Sequence, residues 1–326
     1  MILRINYKWG ETKMKKKIML FTLIIMLLGN FILAQANGNK TKNNNQYFGQ
    51  EKPNNLPILF TNNYIHTDLN CSPSFSPDGK EVFWKTKENK GLFMSKLVDD
   101  KWTEPVEVKF CSYLVDYRAA FYSPDGNRLF FLAKGKCNEK YDNSKLNLYY
   151  VDRIENGWSR PIALCEEINC NLIDWQVSVA KNGNLYFAIK DPDFGIYDIF
   201  CSKFTNGKYE SPEKLPSEIN TGMFETTPYI SPDESYLIFS RFNIEKEDYA
   251  DLYISFKNED GSWSKAVNMG ENINKEYNNL SPQVTLDGKY LFYLQTINGK
   301  TSPVWVSSDV IKEIKNNFFK KTLSSN

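Results

Sequence analysis

The chain has 326 residues, with 40 Lys and Arg against 39 Asp and Glu, a single His and an aromatic content of 15%. A near-neutral chain without a basic stripe has no electrostatic means of holding a phosphate backbone, so nucleic acid is excluded as a partner. The one histidine, His66, excludes a His-rich metal site and leaves a Ser-His-Asp arrangement without support.

Near the start, Met14 precedes Lys15, Lys16 and Lys17, an apolar run from Ile18 to Leu33, and Ala34-Gln35-Ala36. A basic head, an apolar stretch of about 15 residues and a small-x-small exit form an export signal, whereas a retained membrane span needs about 20 apolar residues. We read residues 1–36 as a cleaved signal with its true start at Met14, leaving no membrane span. The protein is then exported to the periplasm, the cell surface or the medium. No Cys lies near the exit to take a lipid anchor. Cleavage removes six basic residues and one acid, so the counts fall from 40 and 39 to 34 and 38, about −4. A polar, Asn-rich tail follows over residues 37–55.

From residue 56 one unit recurs. Ser76-Pro77-Asp78-Gly79 and Ser123-Pro124-Asp125-Gly126 return in altered form at Asn182-Gly183, Asp233-Glu234 and Asp287-Gly288, the Asp or Asn positions being 47, 57, 51 and 54 residues apart. Repeats of about 40–50 residues built of short strands mark a β-propeller. In the first unit, Ser72–Phe75 is an inner strand, Pro77–Lys80 a turn, Glu81–Trp84 a second strand, Gly91–Leu97 a third, and Trp102–Val106 opens a fourth. Units two to four repeat this order. The fifth has no outer strand of its own, but Leu56–Phe60 resembles the outer segments Glu104–Val108 and Arg160–Leu164. The fold class predicted is therefore all-β, a propeller of five four-stranded blades over residues 56–312 whose last blade is closed by an N-terminal strand; six blades is the alternative. Residues 313–326 read as a tail. Six cysteines in an exported chain allow disulfides. Cys165 with Cys170 is the nearest pair, and buried free thiols are the other reading.

The Ser-Pro-Asp-Gly-Lys turn, the Phe-rich strand after it and the Gly-x-Trp-Ser-x-Pro outer strand together resemble the TolB-type, WD-like β-propeller repeat family of bacterial envelope proteins. Tyr47-Phe48-Gly49-Gln50, Pro57 and Phe60 resemble the opening of its exported stand-alone members. The likeness spans residues 47–312. It implies the propeller fold and leaves the activity open, because the repeat is shared by proteins doing different things; members of this family are often six-bladed, while five units are counted here.

Asp78, Asp125, Asn182, Asp233 and Asp287, with Gly79, Gly126, Gly183 and Gly288, are accounted for by turn chemistry: the side chain caps backbone amides and Gly supplies the positive φ. Trp102, Trp158 and Trp263 read as packing between blades. Candidate ligand residues lie six to nine positions before each turn, where inner strands enter the central channel: Asn70, Asp116, Arg118, Asp174, Trp175, Gln176, Glu225 and Asn279. Such carboxylates, amides and aromatics at one mouth suit a protein loop or a glycan, or could hold a structural cation; no other cofactor is expected. The leading expectation is a monomeric, non-catalytic binding propeller. The alternative is a glycosidase-like enzyme using Asp116, Asp174 and Glu225 near the axis.

Overall fold

A computed structural model describes residues 45–89, 91–135, 145–169, 173–243, 249–275 and 277–324, with residues 173–175, 277 and 321–324 described by their backbone alone. The export signal, Cys137 and Cys170 lie outside the described residues.

Among the described residues five antiparallel blade sheets follow one another along the chain, with a separate two-stranded ribbon of Phe204–Thr205 and Lys208–Tyr209 after the third strand of blade 3. The innermost strands are Ser74–Phe75, Leu114–Tyr122, Ile173–Val179, Phe224–Ile230 and Tyr277–Val284. Each is followed by a second and a third strand that pair in sequence, as Tyr236–Asn243 pairs with Tyr249–Phe256 in blade 4. The outer edge is a strand of two or three residues, such as Val106–Val108 or Glu213–Lys214. Blade 5 takes its outer strand from the other end of the chain, with Ile58 opposite Trp305 and Leu59 opposite Val304. The five-blade count and the seam expected from the sequence are both present.

Alternation of apolar side chains on both faces of each sheet fills the spaces between blades. Five buried clusters correspond to the five interfaces: Phe83 with Tyr122 and Phe131 between blades 1 and 2, Phe130 with Val179 and Phe187 between 2 and 3, Tyr186 with Phe239 between 3 and 4, Ile254 with Tyr293 between 4 and 5, and Phe75 and Trp84 with Phe292 and Trp305 across the seam. Trp158 packs on Phe83 of the preceding blade with ring centroids 6.2 Å apart, and Trp263 is buried against blade 3. Trp102 stacks on Phe48 at 4.1 Å.

Two terminal segments depart from the tails that their polar composition suggests. Tyr47, within the polar stretch, is buried at the seam, 4.8 Å from the Phe75 ring and 5.3 Å from Tyr290. After blade 5 the chain continues as helix α2, Asp309–Ser324, following the one-turn helix α1 at Glu166–Asn169. Val310 and Ile311 bury one face of α2 on blade 5, so the helix is held by packing and the apolar spacing 310, 311, 314, 318 is its sequence signature. Cys165 carries a free thiol beside Glu167, while its expected partner Cys170 lies outside the described residues; Cys71 and Cys201 are buried free thiols.

At the turn face, Asp78 accepts from Ser76 Oγ (2.7 Å) and from the Lys80 amide (3.1 Å), and Asp125 does the same for Ser123 and the Asn127 amide. Gly126 adopts φ +72°, and a Cβ there would come within 2.8 Å of the Pro77 ring, so the turns of blades 1 and 2 lie against each other. Below them Glu81, almost buried, accepts from Tyr122 Oη (2.5 Å) and Arg153 (2.6 Å) of blade 2 and pairs with Lys96 at 2.9 Å. Burial raises its carboxyl, but these three donors outweigh that and hold it below the ordinary carboxylate range.

Two predictions follow from this packing. Phe60→Ala, at a fully buried ring of the seam, should cost about 3–5 kcal/mol in urea unfolding, against less than about 0.5 kcal/mol for the exposed control Ile162→Ala; an equally mild Phe60 variant would mean that the seam contributes little. Because the folded chain binds the Glu81 proton more weakly than the unfolded chain, this stabilisation is complete above the ordinary carboxylate range and drains as pH falls through the lowered value. Glu81→Gln should therefore cost about 1–3 kcal/mol at neutral pH and flatten the acid limb of a stability-against-pH curve.

Candidate functional site

The inner strands do not run straight into the channel. Register shifts interrupt their pairing between Val115 and Arg118 and again to Ala120 in blade 2, between Asp174 and Val177 in blade 3, between Thr226 and Tyr229 in blade 4, and twice between Tyr277 and Gln283 in blade 5. Asp116, Thr227, Asn278 and Ser281 take positive φ of 50°, 47°, 51° and 56° at these bulges. A bulge redirects side chains that regular alternation would send between the sheets.

Beyond the bulges the axis is closed by polar contacts between blades. Gln176 of blade 3 donates to Pro282 O (2.9 Å) and accepts from Ser281 Oγ (2.5 Å) of blade 5. Ser281 O in turn accepts from Ser72 Oγ of blade 1, Gln283 donates to Ser74 Oγ at 2.9 Å, and Ser178 accepts from the Ile230 amide. Thr227 and Ser240 hydroxyls lie 2.8 Å apart, and Ser240 donates to Asn279 O. These side chains are buried.

On the strand-entry side of this plug lies a cavity of about 960 Å³. Its wall is divided. Blades 1 and 2 contribute Lys85, Lys87, Glu88, Asp116, Arg118 and Lys134; blades 3 and 4 contribute Tyr197, Phe224 and Phe242, the last two with centroids 6.5 Å apart. Asn70, Thr226, Ser281 and Thr301 add neutral hydrogen-bonding groups. Asp116 lies between two cations, 3.4 Å from Arg118 and 3.5 Å from Lys134. Lys85 is 2% exposed and donates to the carbonyls of Thr86 and Asn89. Burial pushes its ammonium below the ordinary lysine value, with the Asp116 carboxylate pulling the other way.

Of the residues expected at the mouth, Asn70, Asp116 and Arg118 line the cavity. Gln176 belongs to the plug beneath it, and Asn279 is buried behind, accepting from Gln295 Nε2 at 3.0 Å. Glu225 is fully buried and is not among the residues lining the cavity, accepting from Arg241 Nε (2.9 Å) and Thr221 Oγ1 (2.6 Å). Burial raises its carboxyl above the ordinary range, against the pull of Thr221 and Arg241. The side chains of Asp174 and Trp175 lie outside the described residues. Among the described residues no cluster of three or more His, Cys, Asp or Glu could hold a metal ion.

Several lining residues escape the inner-strand rule because they come from the return strands. They fall seven or nine positions past the turn residue: Lys85 and Lys87 after Asp78, Lys134 after Asp125, Phe242 after Asp233 and Leu294 after Asp287. The same repeat arithmetic, run forward from the turn, would have found them.

No protein-family model matches the chain, and no curated protein matches it. Solved structures align with part of the chain at low identity. TolB from Acinetobacter baumannii aligns at 16% identity and a TM-score of 0.47 over 72% of this chain and 53% of that one, so the chain spans about half the length of that protein. An α-L-arabinofuranosidase from Lactobacillus brevis aligns at 14% identity and TM-score 0.48, over 76% and 92%. A thermostable family-43 glycoside hydrolase aligns at 14% and 0.49, over 74% and 90%. The blade count and the site rest on the strand pairing and side chains described above. No helix among the described residues is long and apolar enough to cross a membrane.

Glu225→Ala should cost about 3–5 kcal/mol in denaturant unfolding because Arg241 would stay buried without its carboxylate, whereas Asp116→Ala, at a partly exposed ion pair, should cost less than about 1 kcal/mol. A Glu225 variant as stable as the parent would contradict its structural role.

Proposed function

We propose that the protein is a non-catalytic binding propeller, exported to the cell envelope, that receives a protein or glycan partner at the strand-entry mouth. The observation that carries this reading is the cavity itself. Its volume lies within the range of ligand pockets, it combines aromatic walls with a few converging polar groups, and the plugged axis gives it a floor. Two exposed aromatic side chains stand close to its lining in sequence: Phe194, 80% exposed and adjacent to the lining residue Gly195, and Tyr113, 73% exposed and two residues before Val115.

Of the carboxylates expected from the sequence to cleave a glycan, the two whose side chains are described do not share the mouth, which favours binding over cleavage. Glycoside hydrolysis needs two carboxyl groups flanking one bond, about 5–10 Å apart. Asp116 is engaged by two cations in the mouth, and Glu225 is held behind Arg241 outside it.

The test is a glycan array and an envelope-extract capture run in parallel with the parent protein and the double variant Tyr197→Ala, Phe224→Ala. Both side chains are only partly buried, so the variant should fold. The expected result is a ligand bound by the parent and lost, by at least about tenfold in affinity, in the variant. Retention by the variant would move the site elsewhere, and release of new reducing ends from a bound glycan would replace binding by catalysis.

A further inference from the structure

The charge of the mouth is opposite to that of the chain around it. Among the described lining residues, Lys85, Lys87, Arg118 and Lys134 face Glu88 and Asp116, an excess of two positive charges in a chain that is about −4 once residues 1–36 are set aside. One of these cations is exceptional. The Lys85 ammonium is buried and gives hydrogen bonds to two backbone carbonyls, but among the described residues no carboxylate lies within ion-pair distance of it. A buried charge normally finds a counter-charge, and leaving it without one is costly. Beside it, the Lys134 ammonium has the Asp116 carboxylate as its one ion-pair partner among the described residues, through a long contact of 3.5 Å, and Arg118 lies 3.4 Å from the same group. Among the described residues the blade 1–2 wall thus carries a buried cation, Lys85, with no carboxylate to pair it.

The opposite wall restricts what the anion can be attached to. Tyr197, Phe224 and Phe242 offer ring faces, while Asn70 and Thr226 offer neutral hydrogen-bonding groups between the two walls. Ring faces, amide and hydroxyl groups, and a carboxylate-binding corner together match an acidic sugar. A peptide added as an extra strand would need an open strand edge. The inner strands here are tied to one another by Gln176, Ser281, Gln283 and Ser72 across the axis.

We propose that the mouth binds a carboxylated oligosaccharide, its carboxylate taken by Lys85, Arg118 and Lys134 and its sugar rings laid against Tyr197 and Phe224. This rests on the mouth being the binding site and adds the charge and class of its ligand. Asp116 then acts as a competitor for the same cations, so removing its charge strengthens binding.

The experiment uses an array of uronate and sialylated glycans beside neutral counterparts of equal length, followed by titration calorimetry with trigalacturonic acid or the best acidic binder, its neutral counterpart and an acidic aromatic peptide. Lys134→Gln, at a partly exposed position that does not test the fold, should weaken the acidic glycan about 10- to 100-fold. Binding should also weaken with salt. Lys85→Met should act in the same direction, and Asp116→Asn should raise the affinity severalfold. Equal binding of acidic and neutral glycans overturns the charge assignment while leaving the mouth as the site. Tighter binding of the peptide, or no carboxylated glycan bound at all, overturns the acidic sugar. Acidic-glycan binding that survives both Lys134→Gln and the Tyr197, Phe224 double variant overturns the mouth reading as well.

Discussion

Everything in this molecule depends on one pairing, the two-residue strand Ile58–Leu59 lying on Val304 and Trp305. A twisted array of five sheets has two free edges unless it joins its ends. Here the join is small in hydrogen bonds and large in apolar surface. Phe60, Tyr47 and Trp305 are buried together with Phe75 and Phe292, so the first and last blades share one core like any other neighbouring pair. The inner strands of blades 5 and 1 can then meet at the axis, and the cavity above them acquires a continuous wall.

The axis is where polarity and packing trade places. Between the blades the contacts are aromatic and aliphatic; at the centre they are Ser, Thr and Gln, each tied to another blade by at least one hydrogen bond, although Gln283 Oε1 is left without a partner. Buried hydroxyl and amide groups of this kind are tolerable only when their partners are fixed. The bulges supply that fixing, because the same irregularity that turns Ser281 and Thr227 toward the axis separates the plug from the mouth. A channel expected to be lined with polar side chains is therefore a closed floor at one level and an open cup at the next.

The periodic turn made the architecture legible from the sequence. An Asp that accepts from its own Ser and from an amide two residues on, followed by Gly, is a local device, and local devices survive translation into structure. The missing fifth outer strand was legible for the same reason, as a gap in a count. Glu225 shows where such counting stops. It holds the same position in its unit as Asn70 in the first, yet it is buried with Arg241 while Asn70 lines the cavity. The partner that decides this, Arg241, comes from the next strand, and the bulge that redirects the chain leaves no mark in the hydrophobic pattern. Tyr47 was hidden for a different reason: one aromatic in a polar stretch carries no period, and only the seam gives it a place to bury.

The seam also sets an order of events. Residues 58 and 305 are partners, so the earliest-made strand has to wait for the last-made before either is protected. Until the whole polypeptide is available, an aromatic surface and a sheet edge remain uncovered at both ends, a state prone to pairing with the wrong neighbour. Such long-range closure is slow to form. A copy shortened near residue 300 would leave four finished blades flanking an open wound, and its fate would be decided by how fast it is degraded against how fast it sticks.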